Sequence, residues 1–297
     1  MKLHSAVVFG ILSLVLPLVS SADLADDVIA KVTANVAKLK AADPQAVPMA
    51  FWDFDGTIIK GDVSEGLEED GKVLFKGLIQ RTIEEGFSPV YAKNEFDRYA
   101  KEDYPRLRQL GYWLAWPFNA QIYEGVEAAK IDAFCRNEYA AVYRKWYFRF
   151  SAKVFAGLKK AGVENYVISG SPEVFVRNAA ESLGIPREHI RGIRTTEPGG
   201  RLSTQLVYPM PFSEGKVETV RELVGGCPHG VAVAAFGNSY YNDAPFMRYV
   251  VTQPVLPGGA KGTAVMINGM KKRAGYEEYF ITTTETDVVG SDNPSGR

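Results

Sequence analysis

Three runs of strand length restrict what this chain can fold into. They are Ala46–Phe54 (AVPMAFWDF), Asn165–Ser171 (NYVISGS) and Gly230–Ser239 (GVAVAAFGNS). Each is apolar almost throughout, so a strand built from it has no face to offer water. Such strands belong to a parallel sheet covered on both sides. Helical patterns separate the runs from residue 150 onward: Ser151–Gly162, the stretch from Pro172 to Gly184, and Phe212–Gly226. Alternation of this kind predicts an α/β fold with a Rossmann-like parallel sheet. A further strand is predicted at Tyr249–Val255 and a helix at Gly262–Lys272. An amphipathic helix is predicted over 24–41, and a β-hairpin around Pro198-Gly199-Gly200.

Residues 61–148 break the alternation. They are dense in aromatics and helical in texture, which predicts a helical cap inserted directly after the first strand. The expected organisation is a core of residues 23–60 and 149–285, a cap of 61–148, and a flexible tail of 286–297. Residues 1–22 hold an apolar run, Ala6–Val19, followed by Ser-Ser-Ala. This reads as a signal peptide cut after Ala22, so a secreted or periplasmic protein is expected. The run is short of the roughly 20 residues a membrane span needs, and no later segment is long enough.

Composition excludes little beyond this. The formal net charge of −1 over 297 residues, with no basic block, gives no nucleic-acid footprint. Two cysteines, Cys135 and Cys227, leave one disulfide or two free thiols equally open. Three histidines are too few and too scattered for a zinc site. Oligomeric state has no signature.

In a parallel sheet, ligands bind beyond the carboxyl ends of the strands. The three runs end at Asp53-Phe54-Asp55, Ser169-Gly170-Ser171 and Gly237-Asn238-Ser239. Three polar clusters are thus expected on one edge. A carboxylate there can act as a nucleophile, and a second one two residues on can carry a proton. Both suit phosphoryl transfer, in which charge on the moving group must be neutralised by a cation, a lysine and short-range donors. Lys216 can supply the positive charge, and the Ser169 hydroxyl and Gly170 N–H can donate. Asp53, with Asn238 or Asp243, can hold Mg²⁺ through oxygen.

DFDGT at Asp53–Thr57, ISGS at 168–171, a lone Lys216 opening a helix, and GNSYYND at 237–243 resemble the four motifs of the haloacid dehalogenase-like phosphatases, in their order. The resemblance covers residues 48 to about 255. It implies that Asp53 is the nucleophile of an aspartyl-phosphate intermediate and that Asp55 is the acid and later the base. Thr57, Ser169, Gly170 and Lys216 would hold the phosphoryl group, and Asp53, Asp55, Asn238 and Asp243 would bind Mg²⁺. The expected activity is hydrolysis of a small phosphomonoester. The hairpin before Lys216 is similar to that of the phosphoserine phosphatase-like branch. Export and IIKGDVSEG look most like bacterial phosphorylcholine and phosphoethanolamine phosphatases. Asn238 departs from the pattern, which has aspartate there. It leaves open a non-catalytic binding protein on the same scaffold; a phosphotransferase is the other alternative.

Substrate selectivity is assigned to Asp62 and Glu65, which follow the catalytic loop, and to Trp113 and Trp116. Together with Tyr112, Tyr143, Trp146 and Tyr147, these tryptophans could cage a quaternary ammonium group. A plain helical core is the other reading of all six.

Overall fold

The computed structural model describes residues 21–253, 256–270 and 272–290. Residues 1–20 of the expected signal segment 1–22 and the last seven residues lie outside them. Seven strands form one sheet: β1 (Val47–Trp52), β4 (Glu164–Pro172), β5 (Ile190–Thr195), β6 (Leu206–Val207), β7 (Gly230–Ser239), β8 (Thr263–Met270) and β9 (Ile281–Thr283). Their order is β6-β5-β4-β1-β7-β8-β9. All neighbours are parallel except β5 and β6, which form the expected antiparallel hairpin. β1 lies at the centre, between β4 and β7.

The side-chain period of two shows why these strands are apolar throughout. Ala50 and Trp52 of β1 enter one hydrophobic cluster, whereas Met49 and Phe51 enter the cluster on the opposite face. Helices Ser21–Ala42 and Arg149–Lys160 pack together on the first side. Helices Glu214–Gly226 and Ala244–Thr252 cover the second. Among the described helices none is long and apolar enough to cross a membrane.

Two expected elements are exchanged. Tyr249–Thr252, expected as strand, ends the helix Ala244–Thr252, and Gly262–Lys272, expected as helix, contains β8. Ala244, Met247 and Val250 recur every third residue and are all buried, so helical spacing decides the first segment. In TAVMINGM the first five residues are all buried, which suits a strand covered on both faces and which the Ala, Met and Gly content disguised.

The insertion also departs from all-helical texture. It opens with a two-stranded hairpin, β2 (Gly66–Glu69) and β3 (Lys72–Lys76), turning on Asp70-Gly71. Both turn residues have positive φ, 52° and 74°, the geometry that favours an Asp-Gly pair. Helices Leu78–Glu85, Tyr104–Leu110, Tyr112–Gln121 and Ala128–Ala141 follow. The chain leaves and re-enters the core side by side: the Phe148 N–H donates to Ile58 O at 2.8 Å, and the Lys60 N–H to Trp146 O at 2.9 Å.

The tail expected from 286 is ordered against this junction as far as Gly290. Val289 N–H donates to Tyr147 O and Gly290 N–H to Lys145 O, each at 2.8 Å, and Val288 is buried. Apolar Val288 beside an open stretch of backbone accounts for the docking. Both cysteines are free thiols, Cys135 being buried within the insertion.

Candidate active site

β1 delivers Asp53 to the sheet edge. Its N–H still donates to Phe236 O of β7 at 2.9 Å, so the residue continues the ladder and its direction is fixed. Beyond it the chain turns sharply, with Ile58 and Ile59 N–H both donating to Phe54 O. Gly56 makes that turn possible. Its φ is +71°, and a Cβ there would lie 1.9 Å from Asn238 Nδ2. Asn238 therefore rests directly on the Asp53–Asp55 loop.

Asp53 is almost fully buried, with one oxygen on Lys216 Nζ at 2.6 Å and the other accepting the Thr57 hydroxyl at 2.8 Å. Lys216 has a second carboxylate at 2.6 Å, Asp243 Oδ1, and is itself buried. Asp243 Oδ2 accepts the N–H groups of Asn238 and Ser239 at 3.0 and 2.9 Å. Asp243 thus shapes the turn after β7 and anchors the lysine. Thr57 is locked by Ser151, whose hydroxyl donates to the Thr57 carbonyl at 2.6 Å.

Asp55 is held independently. One oxygen accepts Val63 N–H at 2.7 Å; the other accepts the hydroxyls of Ser171 at 2.7 Å and Ser169 at 3.2 Å. Both Asp55 oxygens thus accept hydrogen bonds, one from a backbone N–H and the other from two serine hydroxyls.

Burial and crowding decide the electrostatics. Desolvation, and next the charge of Asp243, push Asp53 from an ordinary 3.8 up to about 7, although Lys216 pulls the other way. Burial raises Asp55 against the opposing pull of Val63 N–H and the two serines. Asp62 is driven well above the carboxylate range by burial and then by the charges of Asp55 and Glu65. Burial alone would lower Lys216, but Asp243 and Asp53 hold it above its usual value.

A cavity of about 530 Å³ opens over this centre, lined by Asp53, Asp55, Lys216, Asn238 and Asp243 at its floor. Asp62, Glu65, Tyr104, Trp116 and Asn119 from the insertion form much of its wall. Tyr104 donates to Glu65 at 2.7 Å, and Asp62 accepts the N–H groups of Ser64 and Glu65. Trp116 lies against the carboxyl end of β4, where a Cβ on Gly170 would stand 2.8 Å from the indole. The expected glycine donor is therefore also a place where the insertion lies against the core.

The donors suit a hard divalent cation. They are oxygens from Asp53, Asp55, Asp243 and the Asn238 amide, with no histidine or cysteine among the described residues of the cavity wall. Asn242, also in that wall, carries a buried Oδ1 that has no hydrogen-bond partner among the described residues. Among the described residues no three His, Cys, Asp or Glu side chains converge as a metal cluster. The set is carboxylate plus amide instead.

The aromatic cage is corrected. Trp113 is exposed, stands edge-on to Phe212 and lines a different cavity with Tyr208 and Pro209. Tyr143 and Trp146 pack on Phe75, Tyr147 packs edge-on to Phe54, and Tyr112 supports Trp116 from behind. Of the six aromatics only Trp116 faces the cavity. Spacing along an aromatic-rich insertion cannot say which rings point to the core. Sequence reasoning missed Ser64, Tyr104 and Asn119. Ser171 stood in the Ser169-Gly170-Ser171 cluster and was passed over. Asn268, Met270 and Glu285 also line the cavity from the C-terminal segment and carry no local motif.

Residues 50–248 match the haloacid dehalogenase-like hydrolase family. No curated protein matches the chain in sequence. Among solved structures, a protein of unknown function from Anaerococcus prevotii DSM 20548 is 14% identical with a TM-score of 0.56, covering 87% of each chain. One of unknown function from Bordetella pertussis Tohama I is 15% identical at 0.55, covering 76% of this chain and 92% of that one. Cytosolic 5′-nucleotidase IIIB bound to cytidine is 17% identical at 0.50, covering 80% and 78%. At these identities the likeness is one of fold.

Proposed function

Because the chain belongs to the haloacid dehalogenase-like hydrolase family, we propose that it is a phosphomonoesterase with Asp53 as nucleophile and Asp55 as general acid and base. One observation carries the reading. The two carboxylates stand on the same strand end in one cavity, yet each has its own supports: Lys216 and Thr57 for Asp53, Ser169, Ser171 and Val63 for Asp55. Two carboxylates in different environments can take different roles.

In the first step an Asp53 oxygen attacks phosphorus and the ester P–O bond breaks. Its electron pair goes to the leaving oxygen, which takes a proton from Asp55. In the second step Asp55 takes a proton from water, the water oxygen attacks phosphorus, and the Asp53–phosphorus bond breaks. Lys216 and Gly170 line the cavity and would donate to phosphoryl oxygens, and the Ser169 hydroxyl would join them by turning from Asp55. Asp53, Asp55, Asn238 and Asp243, with the Asn242 oxygen that has no partner among the described residues, fit Mg²⁺. When bound, the ion supplies positive charge against the phosphoryl oxygens. Trp116 and Tyr104 of the insertion cover the site and limit water during the first step.

The wall indicates the substrate's other end. Asp62 and Glu65 line it, and among the described residues neither pairs with a basic side chain, whereas Lys60 is taken by Glu69 at 2.7 Å. A small phosphomonoester bearing an ammonium group, such as phosphoethanolamine or phosphocholine, suits that wall and the Trp116 ring. The insertion placed straight after Asp55 and the β5–β6 hairpin ahead of Lys216 support the phosphoserine phosphatase-like branch. The apolar start of the sequence supports export to periplasm or medium.

The test is a panel of phosphomonoesters assayed with and without Mg²⁺ and ranked by kcat/KM, alongside Asp53→Asn. Expected are Mg²⁺-dependent hydrolysis, preference for amine-bearing substrates and loss of activity in Asp53→Asn. Retained activity in that variant would remove the nucleophile. Binding without turnover would favour the binding-protein reading for which Asn238 speaks. Transfer to added alcohols would favour a phosphotransferase.

A further inference from the structure

The serine that governs Asp55 is not the one its motif singles out. Ser171 Oγ donates to Asp55 Oδ2 at 2.7 Å, while Ser169 Oγ reaches the same oxygen only at 3.2 Å. Hydroxyl-to-carboxylate bonds strengthen as they shorten toward 2.5–2.7 Å. Ser169 Oγ has a second task, accepting Ser171 N–H at 3.0 Å. Ser171 is in turn gripped from the insertion, since Ser64 Oγ donates to Ser171 Oγ at 2.8 Å. Ser64 is fixed through its own backbone: its N–H donates to Asp62 Oδ1 and its carbonyl accepts Ile79 N–H. Ser64 and Ser171 are both nearly fully buried, so water does not substitute for either bond.

We propose that Ser171, held by Ser64, is the positioning residue for Asp55 and couples proton delivery to the seating of the insertion. The proposal rests on the phosphomonoesterase reading and adds to it a residue and a route. An aspartate at a strand end has two rotatable bonds, and a general acid must meet the leaving oxygen within hydrogen-bond reach. Val63 N–H fixes one Asp55 oxygen; Ser171 fixes the plane through the other. The Ser64–Ser171 bond exists only while the base of the insertion is seated on the core. Asp55 is therefore set for proton transfer in the closed arrangement and loosened when the insertion lifts. Ser171 touches neither substrate nor phosphorus in this account.

Leaving-group dependence tests it, read as kcat/KM, which covers the steps through formation of the aspartyl-phosphate. An alkyl phosphomonoester needs a proton on its leaving oxygen, whereas p-nitrophenolate leaves without one. Ser171→Ala is expected to lower kcat/KM for phosphoethanolamine about tenfold to a hundredfold, part of what general acid catalysis is worth. p-Nitrophenyl phosphate should change by less than about threefold. Ser64→Ala should show the same split more weakly, and Ser171→Thr should restore the wild-type ratio. A purely structural role would lower both substrates together. An unchanged ratio in active Ser171→Ala overturns the proposal. If Ser171→Ala fails to fold, an unchanged ratio in Ser64→Ala does so. A wild-type chain that hydrolyses neither ester overturns the phosphomonoesterase reading, and this one with it.

Discussion

Removing the proposed nucleophile should make the cation-free protein more stable. Asp53 is displaced from 3.8 to about 7, first by burial and then by Asp243. A carboxyl raised in the folded state contributes stability below its unfolded pKa and loses it as pH rises through the folded one. The wild-type chain should therefore weaken between about pH 4 and pH 7. At about 1.4 kcal/mol per pH unit, the displacement amounts to about 4 kcal/mol at pH 8. Asp53→Asn abolishes that ionisation and keeps an oxygen for Thr57 or Lys216. Loss of one charge-assisted bond costs back about 2 kcal/mol. The net expectation in EDTA is a gain of about 2 kcal/mol at pH 8, or roughly 5 °C in melting temperature, and near equality at pH 5. Asp62 is common to both proteins and cancels. Excess Mg²⁺ should then stabilise the wild type more than the variant, because an ion that binds only the folded state adds stability with its affinity. Urea and thermal unfolding at the two pH values measure all of this. An Asp53→Asn variant that is less stable than wild type at pH 8 in EDTA would refute the electrostatic reading of the site.

Lys216→Met should act in the opposite direction, costing roughly 3–5 kcal/mol at pH 8, since it strands two buried carboxylates; urea unfolding reads this, and phosphatase activity should vanish with it. Gly56→Ala should weaken Mg²⁺ dependence and activity, because its Cβ would fall 1.9 Å from Asn238 Nδ2 in a φ of +71°; a Mg²⁺ titration of kcat checks it. Trp116→Ala should raise KM for amine-bearing substrates, whereas Trp113→Ala should leave kinetics unchanged, since only Trp116 lines the cavity. Thiol titration at pH 8 should find Cys135 unreactive until the chain is unfolded, because it is buried and its thiol is pushed well above the usual range by burial and next by Asp132.

The sheet and the polar clusters at its edge were legible because their signals are local. Val47–Trp52, Asn165–Ser171 and Gly230–Ser239 are apolar on both faces, a pattern that few structures other than a covered parallel strand allow. Asp53, Asp55, Ser169, Lys216 and Asp243 are found from where those strands stop and from the start of one helix. Asp70-Gly71 was equally local, yet its hairpin was lost in the helical texture around it. Residues 249–252 and 263–270 were exchanged because a short apolar run has no intrinsic period, and only the neighbours it packs against select helix or strand.

Chain order alone thus determined which residues carry charge to the sheet edge, because covalent spacing fixes the side chains that come directly after a strand. Tertiary structure decided which neighbours those charges meet. Ser64 meets Ser171 across 107 positions, Lys216 joins Asp53 across 163, and Trp116 covers Gly170 while Trp113 faces outward. Desolvation and hydrogen bonding depend on distance through space, so the raised pKa of Asp53 and the clamp on Asp55 arise only once the chain has closed around them.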